Sequence, residues 1–471
     1  MTSPAPDPGS FRDPMSRVFL DGDTVLRTLD PEGLADFEAL AATDFYAEAI
    51  ASGAVVGTER IDDVDAEALG DDWAAVLRHE RIPFISYPYE WSFEMLRDAA
   101  KLQLDLTAAA LAEDLTTKDA TSYNVQFVGS RPTFIDLGSF ERLRGAEPWY
   151  GYRQFCQLFL FPLMLQAFKD LPFQPWLRSS IDGISPTEAR NAMSRWDIVS
   201  PRRKGTMLHV SLHARADRKH ANTDRDVKAD LEKAGFKKEI TVNQVKGLRR
   251  VVESLRWKQA DSEWSGYSER GHYTDADLTA KSEFVTAVTG ERPRGLVVDL
   301  GANDGHFSRL ALEAGAGYVV AVDADPLVVD TLYRSLRDEG NERILPLTMN
   351  LANPSPATGW RGVERQAFLG RGQPDLVLAL AVIHHLAISA NVPLGEFLAM
   401  VADLGGESVV EFPTPDDPMV HKLLRNKRTG VHDDYTVEMF EREVESRFDV
   451  RQREILPSRT RILYHLAPRT G

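Results

Sequence analysis

The stretch Leu296-Val-Val-Asp-Leu-Gly-Ala-Asn-Asp-Gly-His306 limits what this chain can fold into more than any other. A short apolar run ends at Asp299-Leu300-Gly301 and a second glycine follows at Gly305, the pattern of a buried strand, a tight turn and a helix start. Phe307, Leu310, Ala311 and Ala314 then recur at helical spacing, and Gly315 and Gly317 supply the stop. Tyr318-Val-Val-Ala-Val-Asp323 gives a second strand ending in a carboxylate. The sum is a β-α-β unit with an acidic side chain at the second strand's carboxyl end, where open parallel sheets bind nucleosides.

The turn separates two kinds of nucleotide ligand. A dinucleotide fingerprint, G-x-G-x-x-G, needs glycines where the backbone approaches a pyrophosphate at the helix N-terminus. Here the middle position is Asn303 and only Gly301 and Gly305 remain, which disfavours NAD and FAD. A glycine turn without a phosphate demand, together with Asp323 as acceptor for two ribose hydroxyls, suits an adenosine-containing ligand. Val297 to Gly305 resembles motif I of the class I S-adenosylmethionine-dependent methyltransferases. That resemblance implies an α/β fold, a doubly wound Rossmann-like domain, with S-adenosyl-L-methionine as cofactor. It implies that Asp299, Gly301, Asn303, Gly305, Asp323, Ala324, Asn350 and Ala381 line the cofactor. Asn350 ends a third strand, Arg343 to Met349, where the family places an adenine-reading side chain and Asp is commoner. Asp325-Pro326 is a helix start, so Asp325 is expected to cap.

The fourth strand, Asp375 to Ile383, ends in His384-His385-Leu386, and the fifth, Ser408 to Phe412, carries Glu411 near its end. Methyl transfer is an in-line displacement in which positioning supplies most of the acceleration. A hydroxyl acceptor also loses a proton, and imidazole basicity suits that near neutral pH. One of His384 and His385 is therefore the expected base, helped by Glu411, while the other reading has a histidine that only packs or bonds the backbone. Asp416 and Asp417 lie between prolines and are expected as turn formers rather than metal ligands, so no metal is expected. Glu411 to Lys427, Asp433-Asp434-Tyr435 and Arg459 to Tyr464 resemble a nodulation-type subgroup of bacterial methyltransferases. Aromatic residues upstream of motif I, Trp264, Tyr267 and Tyr273, are candidate substrate-binding or lid residues, with packing the alternative.

The N-terminal half gives different signals. Residues 1 to about 14 are Pro- and Asp-rich and expected to be loosely attached. Ser16 to Leu29 alternates around Asp21-Gly22 as a hairpin, and helical patterns run from Pro31 to Gly53 and Trp91 to Asp114. Between them Ile82 to Trp91 has the look of an extended hinge. Asp119, Asn124 and the Asp136-Leu-Gly138 that closes the next hairpin have the spacing of protein-kinase phosphoryl-transfer sites. Residues 16–200 thus resemble a degenerate kinase-like α+β domain with Asp119, Asn124 and Asp136 as a nucleotide and magnesium remnant. Thr117 stands where the family's histidine would begin its loop, no glycine-rich phosphate loop is found, and Arg27 is the nearest substitute for a strand lysine. Turn capping by these polar residues is the alternative. Phe155 to Leu165 is apolar enough for a buried helix, and Met207 to His213 alternates as a strand.

The net charge of −16 disfavours nucleic acid and anionic membrane as partners, since both call for a dense positive surface. No apolar stretch reaches spanning length, and a cytoplasmic location is expected. The single cysteine, Cys156, permits no internal disulfide and is expected as a buried thiol. A basic stretch from Arg202 to Lys258, with Arg202-Arg203-Lys204, Arg218-Lys219, Lys237-Lys238 and Arg249-Arg250, is expected as a solvated linker and helix face, with a surface that holds an anionic substrate or carrier as the alternative. The expected organisation is a disordered N-terminus at 1–15, the kinase-like domain at 16–200, the basic connection with a strand and a helix at 201–258 and the methyltransferase domain at 259–471. The expected activity is O-methylation of a small-molecule or saccharide hydroxyl, with the N-terminal domain aiding acceptor binding and a homo-oligomer permitted. A bifunctional kinase and methyltransferase, or a non-catalytic cofactor-binding regulator, are the alternatives.

Overall fold

The computed structural model describes residues 4–62, 69–70, 73–144, 148–194, 196–197, 207, 209–210, 238–258, 274–425 and 427–469. The chain divides into two compact units, one of Met1–Phe127, Arg131–Gln259 and Gly359–Glu364, the other of Val128–Ser130, Ala260–Thr358 and Arg365–Gly471. No helix among the described residues is long and apolar enough to cross a membrane.

The first unit is α+β. Strands β1 (Ala5–Pro6), β2 (Ser16–Asp21), β3 (Thr24–Leu29), β4 (Thr58–Ile61) and β5 (Ala75–His79) form an antiparallel sheet in the order β1-β2-β3-β5-β4. The N-terminal stretch is not loose where it is described: Ala5 and Pro6 pair with Leu20 and Phe19, and proline is tolerated because this is an edge strand. The single long helix expected over 31–53 is two, Pro31–Ala41 and Asp44–Ala51, divided at the helix N-cap residue Thr43. The supposed hinge is a packed corner, with a short helix at Pro88–Glu90 and Trp91 fully buried. Its aromatics Phe84, Tyr87, Tyr89 and Trp91 are core, so the stretch fills a corner rather than serving as an extended hinge.

Ser92 caps the helix Phe93–Ala112, whose side chains from Met95 to Leu111 are mostly buried. Strands β6 (Leu115–Thr117) and β9 (Phe140–Arg142) pair antiparallel, and β7 (Val125–Val128) pairs with β8 (Arg131–Phe134). The helical run from Tyr152 to Lys169 passes through a wide π-type turn at Cys156–Leu160 and buries Phe155, Leu158, Phe159, Phe161, Leu163 and Leu165. Cys156 lies in that core, where burial pushes its thiol pKa up. Met207, His209 and Val210 are helical, not extended. Met207 and Val210 are both buried and lie three residues apart, a spacing that puts them on one face of a helix and on opposite faces of a strand. The basic runs at 202–204 and 218–219 and Lys237 lie outside the described residues; Arg249, inside them, pairs with Asp105.

The second unit holds a seven-stranded sheet in the order β12-β11-β10-β13-β14-β16-β15. Its strands are β10 (Arg294–Leu300), β11 (Ala316–Asp323), β12 (Ile344–Thr348), β13 (Leu376–Ala379), β14 (Glu407–Pro413), β15 (Phe448–Ile455) and β16 (Arg461–Pro468). Strands β10 to β14 run parallel, and β16 and β15 add antiparallel to the β14 edge. Continuous apolar runs in β10, β11 and β13 follow from burial on both faces of a parallel sheet. Val297, Val319, Leu376, Leu378 and Val409 meet helix residues Phe284, Val288, Leu332 and Leu336 in one core. Strand β10 has β11 on one side and β13 on the other, so the order reverses there. The crevice outside the carboxyl ends of β10 and β13 is the ligand position of such sheets.

Candidate functional site

The turn after β10 is held in shape by backbone conformations that few residues adopt. Gly301, Asn303 and Gly305 have φ of +78°, +48° and +77°. Asparagine tolerates the left-handed region, and glycine enters it freely. At Gly305 a Cβ would also stand 2.7 Å from Leu332 Cδ1, so this glycine serves packing of the helix His306–Glu313 as well as the turn. Across the crevice Ala381, just beyond β13, has φ of +55°. A left-handed alanine stores strain on the order of 1–2 kcal/mol and marks a segment fixed by its surroundings.

Asp323 closes the turn from the other side. The Asn303 N–H donates to Asp323 Oδ2 at 2.9 Å and the Asp325 N–H to Oδ1 at 2.9 Å. The N–H groups of Gly301 and Ala302 donate to the Val322 carbonyl at 2.8 and 3.0 Å, sewing the same turn to β11. Burial raises the Asp323 pKa against the backbone hydrogen bonds from Asp325 and Asn303 that favour the charged form. The Ala324 N–H also favours the charged form, so three backbone donors face a carboxylate with about four lone-pair sites, and acceptor capacity remains for a ligand hydroxyl. Ala324 beside it is exposed. Asp325 caps the helix Pro326–Asp338, accepting from Leu327 and Val328. Asn350 is exposed after β12, and its Oδ1 accepts from the Ala352 N–H at 2.9 Å.

Beneath the crevice lies a buried ionic network. Asp299 accepts from the Ser308 hydroxyl at 2.6 Å, and burial pushes its carboxyl up to about 6, with Ser308 and Lys281 acting the other way. Glu411, fully buried, sits 2.6 Å from Lys281 Nζ and 2.9 Å from Arg461 Nη1. Burial alone would raise the Glu411 carboxyl, but the Lys281 and Arg461 charges outweigh it and hold it near 2. Arg461 Nε also meets Asp417 at 2.7 Å, and Asp417 caps the helix Pro418–Leu424 through the Met419 N–H. Glu411 is therefore engaged by two cations and makes no hydrogen bond to His384, the more buried of the two histidines it was expected to help. No group of three metal-type ligands occurs among the described residues.

The two histidines differ. His384 is 1% exposed, and neither ring nitrogen has a hydrogen-bond partner among the described residues. His385 is half-buried and opens a wide π-type turn at His385–Ser389, a local irregularity frequent at functional sites. Their rings are 4.2 Å apart. Burial, with Arg461 and Lys422 adding to it, lowers the His385 pKa to about 4, and burial likewise holds that of His384 well below the ordinary imidazole value. The expected near-neutral basicity is thus corrected: both rings are neutral at pH 7, and His385 is the accessible one.

Trp264, Tyr267 and Tyr273 lie outside the described residues. In the first unit, Asn124 Nδ2 donates to Ser139 Oγ at 2.8 Å, Ser139 donates to Asp136 Oδ2 at 2.6 Å, and Arg27 pairs with Asp136 Oδ1 at 3.0 Å. Asp119 is drawn into the same field, its pKa raised by burial and by Asp136. Asn124 is linked to Asp136 through Ser139, and both oxygens of Asp136 are occupied by protein donors. Arg27 also donates to His79 at 3.3 Å, and burial and Arg27 lower the His79 pKa to about 3.

Sequence reasoning missed Lys281, Ser308 and Arg461. Lys281 carried a signal: with Phe284, Val285 and Val288 it shares the buried stripe of the helix Asp275–Gly290. A lysine on an apolar stripe requires an acid opposite it. Arg461 gave none, since nothing local says which strand β16 joins.

No protein-family model matches the chain. It is 33% identical to the nodulation protein NoeA of Rhizobium meliloti over 475 residues, 98% of this chain and 97% of that protein. Among solved structures, it aligns with the N-methyltransferase NodS of Bradyrhizobium japonicum at 12% identity and a TM-score of 0.30, over 41% of this chain and 98% of that one. A SAM-dependent methyltransferase of Aquifex aeolicus aligns at 15% identity and a TM-score of 0.28, over 41% and 98%.

Proposed function

This chain belongs to the family of the nodulation protein NoeA, and we propose that its second unit is an S-adenosylmethionine-dependent methyltransferase acting on a hydroxyl. The observation that carries the reading is Asp323, half-buried at the carboxyl end of β11, tethered to the left-handed Asn303 turn and retaining acceptor capacity beside the switch point. The acceptor class we favour is a small molecule or saccharide. Gly301, Asn303 and Gly305 shape the turn, and Asp323 receives the ribose hydroxyls. Asp299, Ala324, Asn350 and Ala381 lie at or just beyond the carboxyl ends of β10, β11, β12 and β13 respectively.

The bound cofactor would supply an electrophilic methyl on a sulfonium that leaves as a neutral thioether. The chain's part is to orient the acceptor, exclude water and take the hydroxyl proton. His385 is the group for that proton, because it is neutral at pH 7 and more accessible than His384. Glu411 serves by fixing Lys281 and Arg461 beneath the pair. We assign the first unit a part in acceptor binding rather than phosphoryl transfer, since Asp136 is engaged by Arg27 and Ser139.

Calorimetric titration with S-adenosylhomocysteine, and separately with ATP and magnesium, tests this. Binding of the first alone, lost in Asp323→Ala with the fold intact by circular dichroism, is the expected result. Absence of S-adenosylhomocysteine binding removes the reading. Binding of both points to a bifunctional chain, and tight binding with no methyl transfer to hydroxylated acceptors points to a regulator.

A further inference from the structure

The helix Pro418–Leu424 and the residues after it carry His421, Lys422, Arg425, Lys427 and Arg428 within eight positions of a chain whose net charge is −16. Among the described residues Lys422, Arg425, Lys427 and Arg428 have no acidic partner, although Asp433 and Asp434 follow closely in sequence. This helix packs against the His385–Ser389 turn. It is pinned at both ends: Asp417 at its start is held by Arg461, and Lys427 beyond its end donates to the Ser389 carbonyl at 3.3 Å. Lys422 is close enough for its charge to bear on the His385 ring. Lys422 and Arg425, both exposed, are three residues apart and so share a face.

Unpaired like charges on a rigid element repel one another, and in an acidic protein they are not needed for solubility. We propose that the methyl acceptor carries an anionic group, a phosphate, sulfate or carboxylate, and that Lys422 and Arg425 receive it beside His385. The inference rests on the methyltransferase reading and adds the acceptor's charge. Arginine and lysine together suit such a ligand, the guanidinium by paired donors and the ammonium as a point charge. Held there, the anion would fix the acceptor's orientation while a hydroxyl of the same molecule faces the imidazole.

The test uses the full-length protein saturated with S-adenosylhomocysteine, titrated with glucose, glucose 6-phosphate and glucuronate. At least tenfold tighter binding of one charged hexose over glucose is expected, weakening with added salt. Which of the two wins separates a phosphate from a carboxylate. In K422A/R425A that preference should vanish while S-adenosylhomocysteine affinity stays unchanged. Equal behaviour of charged and neutral hexoses, or a preference that survives the double substitution, overturns the proposal. Failure of S-adenosylhomocysteine itself to bind would instead remove the methyltransferase reading beneath it.

Discussion

Lys281 Nζ stands 2.6 Å from Glu411 Oε2 with both side chains almost wholly buried, joining the helix before β10 to the carboxyl end of β14. Arg461 on β16 meets the other oxygen of Glu411 at 2.9 Å, so three elements converge on one carboxylate. A buried ion pair adds little net stability over a hydrophobic replacement, but removing one member leaves an uncompensated charge in the core. The network therefore fixes geometry more than it adds stability, and the charges of its Lys281 and Arg461 bear on the His384 ring.

Glu411→Gln should accordingly destabilise the second unit by about 3–5 kcal/mol, read from urea unfolding. The pH dependence has a definite sign. The folded carboxyl titrates near 2, below its ordinary value of 4.5, so its contribution is full above about 4.5 and lost as the pH falls toward 2. Wild-type and variant stabilities should converge in that acid range, and a difference that stays constant down to pH 2 would exclude the ion-pair account.

Asp299 predicts the opposite sign. Its folded pKa of about 6 exceeds the ordinary 3.8, so the folded state binds the proton more tightly and stability declines as the pH rises from about 4 to 6. Above pH 6 the buried carboxylate costs up to about 3 kcal/mol. Asp299→Asn should raise the Tm at pH 7 and leave it unchanged near pH 4. A lower Tm at pH 7 would show that the charge is needed for folding.

His384 and His385 should separate by substitution and by pH. With His385 titrating near 4, methyl transfer should keep its rate from pH 8 down to about 5 and fall only near 4, two units below an ordinary imidazole. His385→Phe should abolish transfer without weakening S-adenosylhomocysteine binding. His384→Phe should leave the Tm unchanged or higher, because it removes two buried ring nitrogens that lack partners. An acid limb at 6.5 would overturn the lowered His385 pKa, and loss of transfer in the His384 variant alone would reassign the base.

The parts of this fold legible in the sequence are those written locally. Val297 to Gly305 announced its strand and turn because a fully buried strand is a continuous apolar run and a tight turn needs glycine. Asp323 and Asp325 followed from being at a strand end and before a proline. The roles of Glu411 and Arg461 were not legible, because an ion pair between residues 50 apart in the sequence depends on the sheet order. The basicity of His385 was misjudged for a related reason: its desolvation and the nearby Arg461 and Lys422 are set by packing, not by its own neighbours in sequence. The Ile82 to Trp91 corner shows the same limit, since an aromatic extended segment looks alike whether it bridges two bodies or fills one core.

Gly305 gives a last, sharper test, because two separate costs meet at one residue. Its φ of +77° alone would charge an alanine on the order of 1–2 kcal/mol. Gly340, at φ +65° with nothing within 4 Å of where a Cβ would stand, isolates that backbone term. At Gly305 the added methyl would also press on Leu332 Cδ1 at 2.7 Å, adding about 1–3 kcal/mol of overpacking. Gly305→Ala should therefore destabilise clearly more than Gly340→Ala. Leu332→Ala should be less damaging in the Gly305→Ala background than alone, a coupling that a double-mutant cycle measures. Additive effects of the two substitutions would mean that Gly305 is kept for its backbone conformation only, and the helix could then shift away from Leu332 without moving the turn that holds Asp323.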